Sequence, residues 1–250
     1  MTEAHAATSL ARHSDGVQRA LYLFGIGGPE LAGKRWSVDR TAIIALPFKK
    51  ISLLVRYVDG NEWSEEALER KRSQRSWFID QALFHERVLT RSMRRGPIVP
   101  VRFSSVYASQ ADIHAVAAEH YQRWRRALTR LAGKCEWRLR VFVGPHAVPQ
   151  HEPCALLDTH AEQSHVLHDR VDGGIAEHLS GLWKSCGVLA TAARALDAPS
   201  SGRGGIFHAV FLLPEEGIPR FQETLSRFSE AAKKLGLSYY FEGPRPPFTF

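Results

Sequence analysis

One stretch of the chain, residues 85–107 (HERVLTRSMRRGPIVPVRFSSVY), constrains the fold more than any other. Its first part predicts a helix, because apolar side chains recur at steps of three and four residues. The positions on that helical face are Ala82, His85, Val88 or Leu89, and Met93. Gly96 and Pro97 end the helix, since glycine accepts left-handed geometry and proline cannot continue the backbone hydrogen bonds. The run 98–103 is β-branched and aromatic and predicts a strand, with Pro100 at its start, an edge or a bulge.

The same stretch resembles a block of the gas vesicle GvpL/GvpF family. In that block a His-Glu helix leads into a strand of the form V-[LV]-P-[LV]-R-F-G-T-V-[FY]. The matching residues are His85, Glu86, Pro100, Arg102, Phe103, Val106 and Tyr107. Ser104 and Ser105 stand where the family has Gly and Thr.

Three further blocks carry the resemblance, and they occur in the family's order. They are residues 21–26 (LYLFGI), Glu136–Trp137 followed by a strand, and residues 243–250 (GPRPPFTF). The family ends G-P-W-P-P-Y-S-F, so Arg245 replaces a tryptophan. The order of the blocks is more specific than any single block.

The resemblance implies an accessory or minor structural protein of gas vesicle formation, without catalytic residues or a cofactor. Its expected partners are the hydrophobic shell protein GvpA and other gas vesicle accessory proteins. The expected location is the gas vesicle, in the cytoplasm. Neither nucleic acid nor a membrane is expected as a partner.

The hydrophobic patterns predict an α+β fold of two domains, each a small, mostly antiparallel sheet packed with helices. The N-terminal domain, residues 20–143, is expected to be modified ferredoxin-like, with its helices on one sheet face. Its second helix is predicted to begin after Ser109 and to end at Gly133. The C-terminal domain, residues 172–242, is expected to be ferredoxin-like, and a helix is predicted over residues 172–196. The strand 136–143 fits either domain.

Three segments lie outside these domains. Residues 1–19 lack the apolar region of a secretory signal and are expected to form a disordered leader. Residues 144–171 are rich in histidine and proline and predict a linker or long loop. Residues 243–250 form a C-terminal tail. No apolar run approaches the ~20 residues that span a bilayer.

The formal net charge of +7 leaves two alternative functions open. A basic chain can bind nucleic acid, but its basic runs lie on predicted helices among acidic or apolar residues, which favours solvated helix faces. The second alternative is a small-molecule enzyme on a ferredoxin-like scaffold, which requires a deep pocket with convergent polar groups.

Histidines in the 144–171 segment are the main candidates for metal ligands. The candidate residues are His146, His151, Cys154, His160, His165 and His168. None has tight C-x-x-C or H-E-x-x-H spacing, so no metal site is predicted. His85-Glu86 begins like H-E-x-x-H, but Leu89 occupies the second ligand position.

Two structural roles follow from the family blocks. Glu86 on the helix and Arg102 on the strand are expected to form a buried or half-buried tie, because a guanidinium matches two carboxylate oxygens. The tail is stiffened by proline and is expected to dock on the protein itself, between the two domains, rather than pair as a strand. Its alternative role is a partner contact. The tail residues concerned are Gly243, Pro244, Pro246, Pro247, Phe248 and Phe250.

Overall fold

The computed structural model describes residues 19–71, 74–144, 173–196 and 205–250. The chain divides into two compact units, Met1–Ala132 and Gly133–Phe250. The α+β fold with two mostly antiparallel sheets is confirmed. The expected leader lies outside the described residues except for Arg19, its last position. The histidine-rich linker lies outside them except for Gly144, its first position. No helix among the described residues is long and apolar enough to cross a membrane.

The first unit has one antiparallel sheet and three helices in its described part. Its strands are β1 (Arg19–Gly27), β2 (Arg35–Val38), β3 (Thr41–Phe48), β4 (Ile51–Asp59), β5 (Ile98–Pro100) and β6 (Val106–Tyr107). Its helices are α1 (Glu65–Lys71), α2 (Arg75–Met93) and α3 (Gln110–Leu131). The strand order is β2-β3-β4-β1-β5, and β6 also pairs with β1.

The first unit is compatible with a modified ferredoxin-like arrangement. The order β5-β1-β4-β3 places its strands as a ferredoxin-like sheet does, with the first and last strands adjacent. A short 3₁₀ turn, Pro29–Leu31, and the edge strand β2 take the place of the first helix. The helix α3 follows the last strand as an addition.

Helices cover both faces of this sheet. Successive side chains of a strand point to opposite faces. Leu21 and Leu23 of β1 pack in a buried core with Ile113 of α3, whereas Tyr22 and Phe24 contact rings of α2. The prediction of helices on one face is therefore wrong. The physical reason is that β1 carries apolar side chains on both of its faces, so that each face must be covered by other parts of the protein.

Gly25 allows this close packing. A Cβ at Gly25 would lie 2.8 Å from Cδ2 of Leu89 and 2.9 Å from the carbonyl oxygen of Val99. Both contacts are shorter than atoms tolerate. The glycine of the LYLFGI block is therefore required by the approach of α2 and β5 to β1, where the register of β1 and β4 also shifts.

The strand predicted over 98–103 is shorter in the structure. β5 ends at Pro100, although the N–H of Val101 still donates to the carbonyl of Phe24 at 3.1 Å. The carbonyl of Ser105 accepts the N–H of Leu23 at 2.8 Å, just before β6 begins at Val106. Ser104 in the connecting loop has φ +62°, a left-handed conformation that glycine adopts without strain. The family's glycine at this position thus matches the backbone, and the serine of this chain is strained.

Ser104→Gly should therefore stabilise the protein. A left-handed conformation costs a non-glycine residue roughly 1–2 kcal/mol, and glycine gives back about 0.5–1 kcal/mol in chain entropy. We expect the free energy of unfolding to rise by up to about 1 kcal/mol. Ser105→Gly is the control and should lower it, since Ser105 has no left-handed φ to relieve. Each variant loses one hydroxyl hydrogen bond, from Ser104 to the carbonyl of Phe103 at 2.6 Å or from Ser105 to that of Arg102 at 2.7 Å. If both variants melt below the parent protein, the strain at Ser104 is negligible.

The second unit has one antiparallel four-stranded sheet in its described part. Its strands are β7 (Lys134–Val143), β8 (Ala192–Leu196), β9 (Gly205–Pro214) and β10 (Leu237–Arg245). Its helices are α4 (Gly173–Gly187) and α5 (Ile218–Lys234). The element order βαββαβ and the strand order β10-β7-β9-β8 are compatible with a ferredoxin-like fold.

The structure defines three boundaries. The strand 136–143, which by sequence fits either domain, lies in the second sheet, because β7 pairs with β9 and β10, and the two units divide after Ala132. The helix expected over 172–196 ends at Gly187, and Ala192–Leu196 instead forms the edge strand β8. The last strand continues through Pro244 to Arg245, with a register shift after Glu242.

Candidate functional site: an aromatic cluster and a docked tail

Six ring-bearing residues of the first unit form a contact group that we call the aromatic cluster. Its members are Tyr22 and Phe24 of β1, Trp63 before α1, Phe84 and His85 of α2, and Phe103 after β5. The ring centroid of Tyr22 lies 4.7 Å from that of Phe24 and 4.8 Å from that of Trp63. The cluster joins four separate chain segments, so its packing fixes α2 and the β5–β6 loop on the sheet.

His85 is the first residue of the family block and is fully buried. Its Nδ1 lies 2.7 Å from the hydroxyl of Tyr22, and that hydroxyl accepts the backbone N–H of Ser104 at 3.2 Å. Because Tyr22 accepts from Ser104, its own proton is available to His85. Burial, together with the positive charge of Arg56, lowers the pKa of His85 to about 3. The imidazole is therefore neutral at physiological pH.

Arg56 of β4 brings a positive charge to the edge of the aromatic cluster. Its Cζ lies 4.8 Å from the ring centroid of Phe84 and 5.3 Å from that of Tyr22. The guanidinium also donates to Oε1 of Gln81 at 2.9 Å. Burial lowers the pKa of Arg56, yet the ring faces favour its charged form. Among the described residues, Arg56 is thus held by cation–π contacts and by Gln81 rather than by a carboxylate.

The family-block residues fall into two environments. His85 and Phe103 lie in the aromatic cluster, and Pro100 pairs with Gly25 at the end of β5. Glu86 is half-buried, as expected, but Arg102 is exposed. The expected burial of the Glu86–Arg102 pair is therefore wrong for Arg102. The exposed position follows from the early end of β5, which leaves Arg102 in the loop. The Glu86–Arg102 pair itself stays a prediction.

An aromatic surface at the start of α2 borders the cluster and was not singled out by the sequence. Trp77 and Phe78 are half-buried, and the ring centroid of Trp77 lies 5.3 Å from that of Trp63. Nζ of Lys71 lies 4.4 Å above the Trp77 ring. Tryptophan is enriched at protein interfaces and among the residues that contribute most to binding. Their close sequence spacing, Trp63 to Phe78, was the available signal.

The tail of the second unit is ordered against its own sheet. Gly243 lies flat on the indole of Trp137, where a Cβ would come within 2.4 Å of Cδ2. Pro246 and Pro247 are buried, and Phe248 is half-buried. The glycine and prolines of the terminal block therefore serve packing. The predicted location between the domains and the partner contact stay predictions.

A buried ion pair anchors this tail. Glu136 and Arg138 lie on the same face of β7, and both side chains are buried. Nε of Arg138 lies 3.3 Å from Oε1 of Glu136. The other oxygen of Glu136 accepts the backbone N–H of Thr249 at 2.9 Å. Burial raises the pKa of Glu136, while Arg138 and Thr249 act in the opposite direction. The Glu136 of the Glu-Trp block is thus the residue that binds the tail.

Within the described residues no group of three or more histidine, cysteine or acidic side chains could hold a metal ion. The six histidine and cysteine candidates of the 144–171 segment lie outside the described residues. The two described cysteines, Cys135 and Cys186, are buried, and burial raises the pKa of Cys186 to about 12.

Comparisons with known proteins agree with this geometry. The family model "Gas vesicle synthesis protein GvpL/GvpF" matches residues 20–250. Gas vesicle protein L of Streptomyces sp. (strain CB03234) is 25% identical over 208 residues, which cover 77% of this chain and 77% of that protein.

Two crystal structures share the fold. Gas vesicle protein GvpF from Anabaena sp. PCC7120 has a TM-score of 0.64 at 16% identity, over 92% of this chain and 97% of that one. GvpF from Microcystis aeruginosa has a TM-score of 0.63 at 15% identity, over 92% and 98% of the two chains. Since the family model spans both folded units, the chain belongs to the GvpL/GvpF family of gas vesicle synthesis proteins.

Proposed function

We propose that this protein is a non-catalytic accessory or minor structural protein of gas vesicle assembly that binds the shell protein GvpA and other gas vesicle proteins. The observation that carries the proposal is the family match over residues 20–250. The match includes both units, so the role belongs to the whole described architecture rather than to one module.

The mechanism we propose is chaperone-like. A small hydrophobic shell subunit exposes large apolar faces before it polymerises, and such faces aggregate in water. A folded partner that covers them until handover keeps the subunit available for assembly. The aromatic surface of Trp77 and Phe78 supports this mechanism, because large rings bury much apolar area at a small entropic cost.

Co-expression with GvpA tests the proposal. We expect the full chain to raise the soluble fraction of GvpA and to co-purify with it. An unrelated basic protein of similar size controls for charge. Equal solubility and equal co-purification with that control would remove the support for an assembly role.

A pair of variants locates the contact. Trp77→Ala together with Phe78→Ala should reduce co-purification of GvpA several-fold, because hot-spot aromatic residues contribute about 2 kcal/mol or more each. Tyr57→Ala is the matched control, since Tyr57 is 48% exposed on β4 and lies outside the aromatic cluster. If Tyr57→Ala reduces binding as much as the double variant does, the contact lies elsewhere.

A further inference from the structure

A second charged surface of the first unit lies away from the aromatic cluster. It is formed by Lys49 and Lys50 in the β3–β4 turn and by Arg125 on α3, all exposed, around the half-buried ring of Tyr121. We call these four residues the Tyr121 patch. Two chain segments far apart in sequence meet here, so the cluster of charge is a product of the fold.

Tyr121 holds the patch together. Its hydroxyl accepts the backbone N–H of Lys50 at 3.4 Å. Nζ of Lys49 lies 5.0 Å from the ring centroid of Tyr121, and Cζ of Arg125 lies 6.0 Å from the same centroid. A tyrosine ring attracts cations to its face, so both charges are drawn towards one point on the surface.

The charges of the patch are not neutralised by the part of the chain that the structure describes. Neither of the segments 40–58 and 120–135 contains Asp or Glu. In the described residues no carboxylate forms an ion pair with Lys49, Lys50 or Arg125. Other surface cations do have acidic partners, as Arg87 has Asp39 at 2.8 Å.

We propose that the Tyr121 patch docks an acidic segment of a partner protein, rich in Asp or Glu. Carboxylates complement the unneutralised charges, and an Arg beside two Lys offers both a planar fork and point charges to them. Electrostatic complementarity of this kind sets partner choice and the rate of association.

A protein segment fits the patch better than a nucleic acid does. Single-stranded nucleic acid needs free aromatic faces on which bases stack. At Tyr121 the cations of Lys49 and Arg125 already lie near the ring, and its hydroxyl is engaged by Lys50. The ring of Tyr121 therefore positions cations rather than offers a stacking platform.

Charge reversal tests the proposal in the full-length protein. The probe is a fluorescently labelled glutamate-rich peptide, and its binding is followed by fluorescence anisotropy at low and at physiological salt. We expect Lys49→Glu, Lys50→Glu and Arg125→Glu together to weaken binding at least about tenfold, and the parent affinity to fall with salt. Circular dichroism verifies that the variant is folded.

The matched control carries the same change in net charge on the second unit. Arg220→Glu, Arg227→Glu and Lys234→Glu alter three exposed cations of α5. We expect this triple variant to bind the peptide within about twofold of the parent protein. Equal loss in both triple variants would overturn the proposal, since net charge alone would then explain binding.

An oligonucleotide separates the two partner classes. A single-stranded DNA with the same net charge as the peptide is titrated against the same variants. Weaker binding of the DNA than of the peptide supports the proposal. Tighter binding of the DNA, lost with the patch variant and kept in the control, would overturn it and assign the patch to nucleic acid.

Discussion

Arg138→Met is expected to lower the free energy of unfolding by about 3–5 kcal/mol, because it leaves a buried carboxylate without its counter-ion. Glu136 is fully buried, and the Arg138 side chain beside it is 5% exposed. Without Arg138, the carboxylate keeps only its backbone and side-chain hydrogen bonds with Thr249, and burial then favours its protonated form. Urea denaturation at neutral pH measures the loss.

A double variant separates the lost ion pair from lost packing. Glu136→Gln with Arg138→Met removes both charges and retains a carbonyl oxygen for the N–H of Thr249. Since replacing both partners of a buried pair is often close to neutral, we expect the double variant to recover most of the stability. Arg126→Met is the surface control and should change the free energy of unfolding by less than about 0.5 kcal/mol. A double variant no more stable than Arg138→Met would show that the arginine acts through packing.

His85 is expected to make the protein sensitive to mild acid. In the unfolded chain a histidine has a pKa near 6.5, whereas burial lowers the pKa of His85 to about 3 in the folded protein. Between these values the unfolded state binds the proton and the folded state does not. The stabilisation is therefore fully present above about pH 6.5 and is lost as the pH falls towards 3, at up to about 1.4 kcal/mol per pH unit.

Two variants identify the cause of this pH dependence. His85→Asn removes the titrating group, so the slope of the free energy of unfolding between neutral pH and pH 4 should become shallower than in the parent protein. Tyr22→Phe removes the hydroxyl that contacts Nδ1 but keeps the ring, and the slope should persist because burial is the main cause. His120→Asn on α3, outside the aromatic cluster, is the control. An unchanged slope in His85→Asn would contradict a neutral, buried His85.

Local signals made several elements predictable. The hydroxyl of Ser109 accepts the N–H of Asp112 at 3.2 Å and begins α3, and Gly133, with φ +66°, follows its end. Gly236, with φ +67°, likewise follows α5. A cap or a left-handed glycine acts on its own chain neighbours, so the sequence contains the whole cause.

Elements that depend on distant partners were not predictable in the same way. β2 and β8 are short edge strands whose assignment rests on pairing with β3 and β9 rather than on an apolar run. The alternating pattern of β7 indicated a strand but not which sheet it joins. Pairing across long sequence separations decides that, and hydrophobic periodicity contains no information about the partner.

In the candidate site too, features with a local cause were predictable from the sequence, and contacts between distant residues were not. The family block pointed to His85 and Phe103, but their partner Tyr22 is 63 positions from His85 and emerged only in the folded chain. The bond between Glu136 and Thr249 joins residues 113 positions apart. Proline at 244 was expected to end strand pairing, yet Arg245 still pairs with Glu136 after a register shift, because an irregularity accommodates a residue that cannot donate.

Recovery of GvpA on the immobilised full chain, from cells that express a complete gas vesicle gene cluster, tests the assembly role most directly. We expect GvpA and other gas vesicle proteins to be retained well above the level found with an unrelated basic protein, and Trp77→Ala with Phe78→Ala to reduce the retained GvpA. Retention of GvpA at the level of the unrelated protein would contradict the role proposed for this member of the family.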